Sequence, residues 1–568
     1  MKNRSLYNYI LSNNKEKIRY ISFYIIVLIT SSISSLLALV FKEISEYNDK
    51  DIEEIIFLSV LICVVVTVNA FFVYIRNVLP HKFIVNKVLE RKKILVKNIL
   101  NSDIDKVQNW EVSDILVRVN EDMGVVEKFI GETSVECIAL IASSLVAQVI
   151  LLYMFLPVTV IAFITTPIFL LVISKISDKV GQNAKDIKEN TVILNNQLLK
   201  SIDGNLEIQV FSKENEFINK FDKTLKEIKS ENIKLKKNRL NMLSIGKFGN
   251  IIPIIVIVFL GFYFVKQGIY TLGAWLAMFY LMEFSNSIFT VIPELLSEYK
   301  EAAISVTRLK ELESYFSKQK LDVMSNHKYE ENRLTVKNLS FAYLEDKSVL
   351  QNIDVDIKQG EKIVIVGKSG CGKSTLIDLI CGFLPYQTGE IRMWNHEKLM
   401  DFIAYADQEA VLFPATVEEN IVLEYALKED IKKRFQQVMK LVRLDEWLEN
   451  TDEKENYFIG KRSNALSGGQ RQKIGLARAL LKTNYTDRAV LVLDEATSFI
   501  DIETEKKVIR DIFAINDLTC IFIAHRIASY EEADRILYME NGSIMESGTH
   551  FELMEKKGRY YSLLQYSM

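Results

Sequence analysis

The stretch "KIVIVGKSGCGKST" (362–375) carries the most specific chemistry in the chain. A β-rich run ends at Gly367, a loop follows, and Lys373, Ser374 and Thr375 open an apolar helical pattern. Strand, glycine loop, lysine, hydroxyl and helix, in that order, cradle the phosphates of a nucleoside triphosphate. Glycines at 367, 370 and 372 let backbone N–H groups close around oxygen, with Lys368, Ser369 and Cys371 between them. Lys373 is expected to reach the β- and γ-phosphates, and the Ser374 hydroxyl to bind Mg²⁺.

"AVLVLDEATSFID" (489–501) supplies the second part of such a site. Val490–Leu493 reads as a buried strand that delivers Asp494 to the Mg²⁺ shell. Glu495, one residue on, is placed to take a proton from attacking water. "CIFIAHR" (520–526) repeats the plan and brings His525 to the same sheet edge, where open α/β sheets bind ligands; a γ-phosphate contact is expected of it. "LSGGQRQKIGLARAL" (466–480) is a second anion cradle: one hydroxyl, one amide and two bare glycines at the head of an amphipathic helix.

These residues need an α/β scaffold, and the second half provides it. "RLTVKNLSFAY", "KIVIVG", "AVLVLD" and "CIFIAH" alternate with helical patterns, as in a mostly parallel sheet. The first half differs. The whole chain is 568 residues, 49% hydrophobic and 25% charged, with mean hydropathy +0.10, which suggests a membrane part joined to a charged soluble part. Apolar runs near 21–41, 55–75, 137–156, 157–174, 248–265 and 269–293 approach the ~20 residues that cross ~30 Å of hydrocarbon. Residues 137–174 carry no charge and are too long for one span, so Pro157 is expected to mark a turn between two. The N-terminal run has no cleavage site after it and is expected to stay as a membrane helix.

Loop charge orients the spans. The segment 76–130 holds ten Lys/Arg and 174–241 holds fourteen, whereas the loop 42–54 has two lysines against six acids. Both long segments, the N-terminus and the C-terminal half are therefore expected in the cytoplasm. "FIVNKVLERKKILVKNIL" and "NEFINKFDKTLKEIKSENIKLKKNRL" repeat apolar residues at helical spacing, so the membrane helices should extend into the cytoplasm, turn and return. Five scattered cysteines show no disulfide or metal spacing, as in a reducing compartment. A net charge of −3 gives no reason to expect nucleic acid as a partner.

"LSGGQ", between the phosphate loop and "LVLDE", resembles the signature of the ATP-binding cassette family, and other elements follow in family order. Tyr343 in "SFAY" looks like the aromatic that stacks on adenine. Gln408 in "YADQEAVLFPATVEENI" resembles the glutamine loop that reaches Mg²⁺ and the attacking water. Ser498–Asp501 looks like the D-loop, with Asp501 its acid. The membrane half is similar to the six-helix exporter class, with 117–130 resembling the first coupling helix and 201–211 the second. The resemblance implies a membrane domain over 1–315, a linker over 316–330 and a cassette over 331–568. It implies ATP and Mg²⁺ as ligands. It also implies a head-to-tail dimer, in which Ser467, Gly468, Gly469 and Gln470 close over ATP held by a second copy. A related half-transporter remains open as the partner. Three positions depart from the family pattern: Phe458 and Lys461 where glutamates are frequent, and bulky Phe499 in the D-loop.

The cargo is read from the spans. An ionisable group at membrane depth marks a cavity by default, which points to Glu283, with Asn286, Asn69 and Gln148 as polar companions or interhelical glue. No Lys or Arg lies mid-span. The expected function is ATP-driven export, or flipping, of a hydrophobic or amphipathic cargo such as a drug-like molecule or small peptide. Alternatives are a lipid flippase and an ATP-gated channel or regulator on the same scaffold. A soluble cassette ATPase acting on nucleic acid conflicts with the six runs, and an importer conflicts with the fused layout.

Overall fold

The computed structural model describes residues 4–11, 13–45, 52–317, 333–344, 347–386, 388–393, 402–423, 429–449, 456–460, 466–483, 489–523 and 531–567. Two compact units emerge: Met1–Ser102 with Lys106–Gln319, and Asp103–Asp105 with Lys320–Met568. His525, Lys461 and most of the expected linker lie outside the described residues.

The first unit is helical. Among the described residues, Ser59–Leu100, Val112–Met154, Glu214–Lys266 and Leu272–Tyr315 are long and apolar enough to cross a membrane. The other two apolar runs fall in the helices Asn14–Ser45 and Leu156–Asp203. Ile52–Leu100 has 49 residues, roughly 74 Å at about 1.5 Å per residue, more than twice the hydrocarbon thickness. The polar halves of these helices thus prolong the spans, as the periodicity of 76–100 and 174–241 predicts.

Three local expectations shift. First, 117–130 is not a short helix at a turn. It is the interior of the helical run Val112–Met154, with Val117, Met123, Val126, Phe129 and Ile130 buried at helical spacing. The turn lies upstream, where Asn101 Nδ2 donates to the Lys97 carbonyl and Ser102 Oγ to that of Ile99, each at 2.7 Å. Such side-chain bonds compete with the helix ladder and end it. The short helix at this turn is Ile104–Gln108. At the second turn, within 201–211, the short helix is Asn205–Val210.

Second, the break between the third and fourth spans is at Phe155, whose φ/ψ of −150°/84° fits no helix. Pro157 stands in the first turn of the helix that follows, where its missing N–H costs nothing.

Third, the sixth span divides. Leu272–Asn286 ends, Ser287 intervenes, and Ile288–Tyr315 continues with Pro293 inside. Pro293 cannot donate to the carbonyl four residues back, that of Phe289. Gly246 of the helix Glu214–Val256 comes against that carbonyl so closely that a Cβ there would lie 2.0 Å from the oxygen.

Below the spans, a buried ion cluster ties three helices. Asp122 is fully buried and accepts from Arg308 Nε at 2.9 Å, Ser305 Oγ at 3.0 Å and Lys188 Nζ. Arg308 also pairs with Asp114 at 2.9 Å, and Asp114 with Arg118 at 2.8 Å. Arg118 in turn reaches Glu311 at 3.2 Å and lies over the Trp110 ring. Asp114, Arg118 and Asp122 come from Val112–Met154, Lys188 from Leu156–Asp203, and Ser305, Arg308 and Glu311 from Ile288–Tyr315.

The second unit holds two sheets. Strands β1 (Arg333–Leu344), β2 (Lys347–Lys358) and β4 (Thr388–Met393) form an antiparallel sheet ordered β2-β1-β4. Strands β3 (Lys362–Gly367), β5 (Ile403–Ala406), β6 (Val490–Asp494), β7 (Thr519–Ile523), β8 (Arg535–Glu540) and β9 (Ser543–Gly548) form the other, ordered β5-β6-β7-β3-β8-β9. Only the β8–β9 pairing in this second sheet is antiparallel. The two-residue side-chain period divides β3 between two cores. Ile363 and Ile365 face the antiparallel sheet, whereas Val364 and Val366 join the cluster that includes Ile474, Val508 and Ile512. Central strands buried on both faces explain the continuous apolar runs "KIVIV", "VLVL" and "CIFI".

Candidate functional site: a phosphate loop beside a carboxylate cluster

β3 and the helix Lys373–Ile380 frame the loop 367–372 as the sequence predicts. Gly370 and Gly372 have φ of +78° and +103°, a region that L side chains rarely adopt. A Cβ on Gly372 would approach Leu350 to 2.7 Å, whereas Gly370 faces open space. Lys368, Ser369, Gly370 and Ser374 are exposed, so the loop's rim and the first helical hydroxyl are accessible. Lys373 is buried. Its Nζ donates to the carbonyls of Gly367 at 2.8 Å and Lys368 at 3.2 Å, folded over the loop it is expected to fill with phosphate. Cys371 is also buried, and burial holds its thiol above the usual range, in the protonated form. Tyr343 is 58% exposed, with its hydroxyl 3.3 Å from Thr375 Oγ1 and its ring edge-on to Phe341. An exposed aromatic face beside the loop is a platform for a base.

β6 ends in Asp494, which is buried, and Tyr405 on the neighbouring β5 donates to its Oδ2 at 3.4 Å. Burial, then Glu495 and Asp407, push the Asp494 carboxyl up to about 6. Asp378, one turn into the loop's helix, is pushed up to about 6 by burial and by Asp494 and Asp407. Glu495 has a left-handed backbone, φ 52°, with its N–H on the Ile523 carbonyl at 3.3 Å. Such strain in a non-glycine residue needs surroundings that hold it, and it concentrates at functional sites. Gln408, just past β5, is exposed.

These residues fit Mg²⁺ by the chemistry of the donor set. Asp378 is repelled by Asp494 and Asp407, and Asp494 by Glu495 and Asp407 with Lys373 beside it, so a divalent cation would relieve the cluster. Among the described residues no group of three His, Cys, Asp or Glu side chains is arranged to hold a metal alone. Such a cation would therefore bind with phosphate oxygens, alongside Ser374, Gln408 and Asp494.

The signature stretch is a capping box. Ser467 Oγ accepts from Gln470 N at 3.2 Å, and Gln470 Oε1 accepts from Ser467 N at 2.8 Å. This reciprocal pair closes the N-terminus of the helix Gly468–Thr483 and leaves the glycine N–H groups at its tip. Phe499 lies over this tip: a Cβ on Gly468 would meet its ring at 3.3 Å. Asp501 caps the next helix, Ile502–Phe513, by accepting from Thr504 N at 2.9 Å; that bond holds its carboxyl below the usual range.

The sequence reading missed Asp378, Asp407 and Tyr405. It also missed Gln472, which is 2% exposed and bonds two loops at once. One sequence signal pointed to it. The buried stripe Gln472, Gly475, Leu476, Ala479 keeps helical spacing, and its first member is an amide rather than an apolar residue.

In the membrane unit, Glu283 is exposed on Leu272–Asn286, and Asn69 and Gln148 are half-buried. Asn286 is buried, and its Nδ2 lies 3.5 Å from the Asn250 carbonyl on a neighbouring helix, the interhelical use of an amide.

The model of the ABC transporter transmembrane region matches residues 19–288, and the ABC transporter model matches 350–498. The chain belongs to the ABC transporter family, as a half-transporter with membrane region and ATP-binding cassette in one polypeptide. It is an integral membrane protein. It is 28% identical over 416 residues to the lactococcin transport/processing ATP-binding protein LcnC-like of Lactococcus lactis subsp. lactis (strain IL1403), covering 71% of this chain and 56% of that protein. The chain thus spans little more than half the length of such relatives. It is 26% identical to the multidrug resistance-like ATP-binding protein MdlB of Buchnera aphidicola subsp. Schizaphis graminum (strain Sg), covering 91% of this chain and 89% of that one. A bacterial Atm1-family ABC exporter with ATP bound superposes with a TM-score of 0.80 at 16% identity, covering 98% and 99% of the two chains, and shares the fold.

Proposed function

We propose that the chain is one half of an ATP-driven exporter. Its cassette binds and hydrolyses ATP, and a second copy of the chain completes each site. The carrying observation is the pairing, in one chain, of a lysine-containing phosphate loop with a separately capped signature helix. Ser467 and Gln470 bond each other, and Lys373 bonds its own loop, so each cradle is formed without the other. Two preformed cradles suit a nucleotide held between copies.

In this reading Tyr343 stacks on the base, and Lys373 exchanges its two carbonyl partners for the β- and γ-phosphates. The loop's N–H groups orient those phosphates. Ser374, Gln408 and Asp494 would hold Mg²⁺, which when bound would supply positive charge against the phosphates. Gln408 orients the water, and Glu495 takes its proton. Ser467–Gln470 of the second copy close over the γ-phosphate, and loss of that phosphate reopens the pair. The cassettes and both chain termini face the cytoplasm, and the short helices at the two cytoplasmic turns relay the motion.

The cargo we infer is hydrophobic or amphipathic and neutral to cationic. Support comes from spans without a Lys or Arg at mid-depth, from exposed Glu283 and from the lactococcin-transport and multidrug-resistance names of the relatives. The test is the full chain in liposomes, with ATPase activity measured against peptides, drugs and lipids. Glu495→Gln is expected to bind ATP yet hydrolyse it at least about a hundredfold more slowly. Normal hydrolysis by that variant removes Glu495 as the base. Glu283→Gln is expected to blunt cargo-stimulated activity; unchanged stimulation removes it from the cavity. Ser467→Arg is expected to spare nucleotide binding to one cassette and block closure, and lost binding instead would place that cradle in cis.

A further inference from the structure

Gln472 makes contacts that a core amide does not need. Its Nε2 donates to the Gln408 carbonyl at 2.8 Å, to Ser498 Oγ at 2.9 Å and to the Glu495 carbonyl at 3.3 Å. Its Oε1 accepts from Phe499 N at 2.8 Å. A carboxamide has two N–H bonds and one carbonyl oxygen, so this one is fully used and one N–H is shared. The partners come from two functional segments, the loop after β5 and the turn after β6. Gln408 is in the loop after β5, Glu495 follows β6, and Ser498 and Phe499 belong to the turn that reaches Asp501.

The surrounding packing leaves little slack. A Cβ on Gly475, one turn along the helix, would meet the Ala410 Cβ at 2.6 Å, and one on Gly469 would meet the Phe499 carbonyl at 2.9 Å. The signature helix therefore lies directly on both loops, with glycines at the close approaches and one amide between them. Glu495 keeps its left-handed backbone through three bonds: its N–H to Ile523, and its carbonyl to Ser498 N at 3.1 Å and to Gln472.

We propose that Gln472 is a positioning residue for ATP hydrolysis. It fixes the backbones that carry Gln408 and Glu495 in one register, and ties that register to the signature helix and the 498–501 turn. A shift of the signature helix then moves the water-orienting loop and the base together. This inference rests on the roles given above to Gln408 and Glu495, and the test separates the two.

The experiment uses the full chain in lipid nanodiscs, with kcat, KM for ATP and melting temperature measured for each variant. Gln472→Met keeps the volume and removes every polar bond; Gln472→Glu keeps the shape and an acceptor for Phe499 N but loses both donors. Both are expected to lower kcat about tenfold or more, with KM for ATP changed less than about twofold, as for a misplaced base. In the Glu495→Gln background, adding Gln472→Met is expected to cost clearly less than it does in the wild type, because one of the two groups it positions is already gone. Wild-type kcat in Gln472→Glu overturns the proposal. So does the same fold-loss with and without Glu495, or a kcat loss that follows the melting temperature and a rising KM. Normal hydrolysis by Glu495→Gln alone would instead overturn the assignment of the base.

Discussion

Two polar clusters, each built on a buried carboxylate, Asp122 in one and Asp494 in the other, differ in how their charges balance. In the membrane unit, Asp114, Asp122 and Glu311 meet Arg118, Lys188 and Arg308, three acids against three bases. In the cassette, Asp378 is raised by Asp494 and Asp407, and Asp494 by Glu495 and Asp407, while among the described residues Lys373, which offsets Asp494, also gives its amine to two backbone carbonyls. Burial of Asp122 and of Asp494 makes their charge costly in both places. The balanced cluster therefore holds three helices together, while the unbalanced one retains an electrostatic deficit that a cation and nucleotide can relieve.

The largest expected effect tests the balanced side. Asp122→Ala leaves Lys188 and Arg308 buried without their shared acid and is expected to destabilise the protein by about 3–5 kcal/mol. Thermal melting in nanodiscs reads it. Adding Lys188→Met should return part of that loss, because it removes a stranded charge; a purely additive double variant would break the account of a coupled cluster. Next, Gly246→Val drives a side chain into the Phe289 carbonyl freed by Pro293 and is expected to cost about 1–3 kcal/mol by overpacking. Its effect should add to that of Asp122→Ala, since Gly246 belongs to none of the cluster's pairs. Strong coupling between the two would show that the cluster extends into the spans.

Removing charge on the unbalanced side should have the opposite sign. Asp378 has a native pKa near 6 against about 3.9 for an unfolded aspartate. The folded chain therefore holds that proton more tightly. Its contribution to stability is complete below about pH 4, falls as pH rises to about 6, and stays low beyond. Asp378→Asn is expected to stabilise the nucleotide-free protein above pH 6 by about 1–2 kcal/mol, after discounting for partial solvent access. The gain should vanish near pH 4 and shrink when ATP and Mg²⁺ are present. A pH-independent gain would mean that packing, not charge, sets the deficit.

What could be read from the residues follows from distance along the chain. The phosphate loop, "LVLDE" and "LSGGQ" are local patterns, each fixed by one strand or one helix start. The membrane runs are local too, and 76–100 announced its extension through periodicity alone. The ion cluster was illegible because Asp122 and Arg308 lie 186 residues apart, and no local pattern pairs them. The turn between the second and third long helices was misplaced for a related reason. Residues 117–130 are amphipathic because they pack against other helices, and the true turn at 101–111 is marked only by short polar side chains. Gln472 was overlooked because its partners come from two loops that only the folded sheet brings together.

The smallest expected effect concerns Asp501, which belongs to both kinds of role. It caps Ile502–Phe513 through Thr504 N, yet it ends the turn that Gln472 holds at Ser498 and Phe499. Asp501→Ala removes the cap and is expected to cost about 1 kcal/mol. Asp501→Asn keeps a cap of similar strength and should melt within about 0.5 kcal/mol of the wild type. The two variants thus separate capping from charge. If Asp501 only caps, Asn hydrolyses ATP normally. If its charge also acts between cassettes, Asn melts normally but loses ATPase activity, and Asp501 then belongs with the unbalanced cluster.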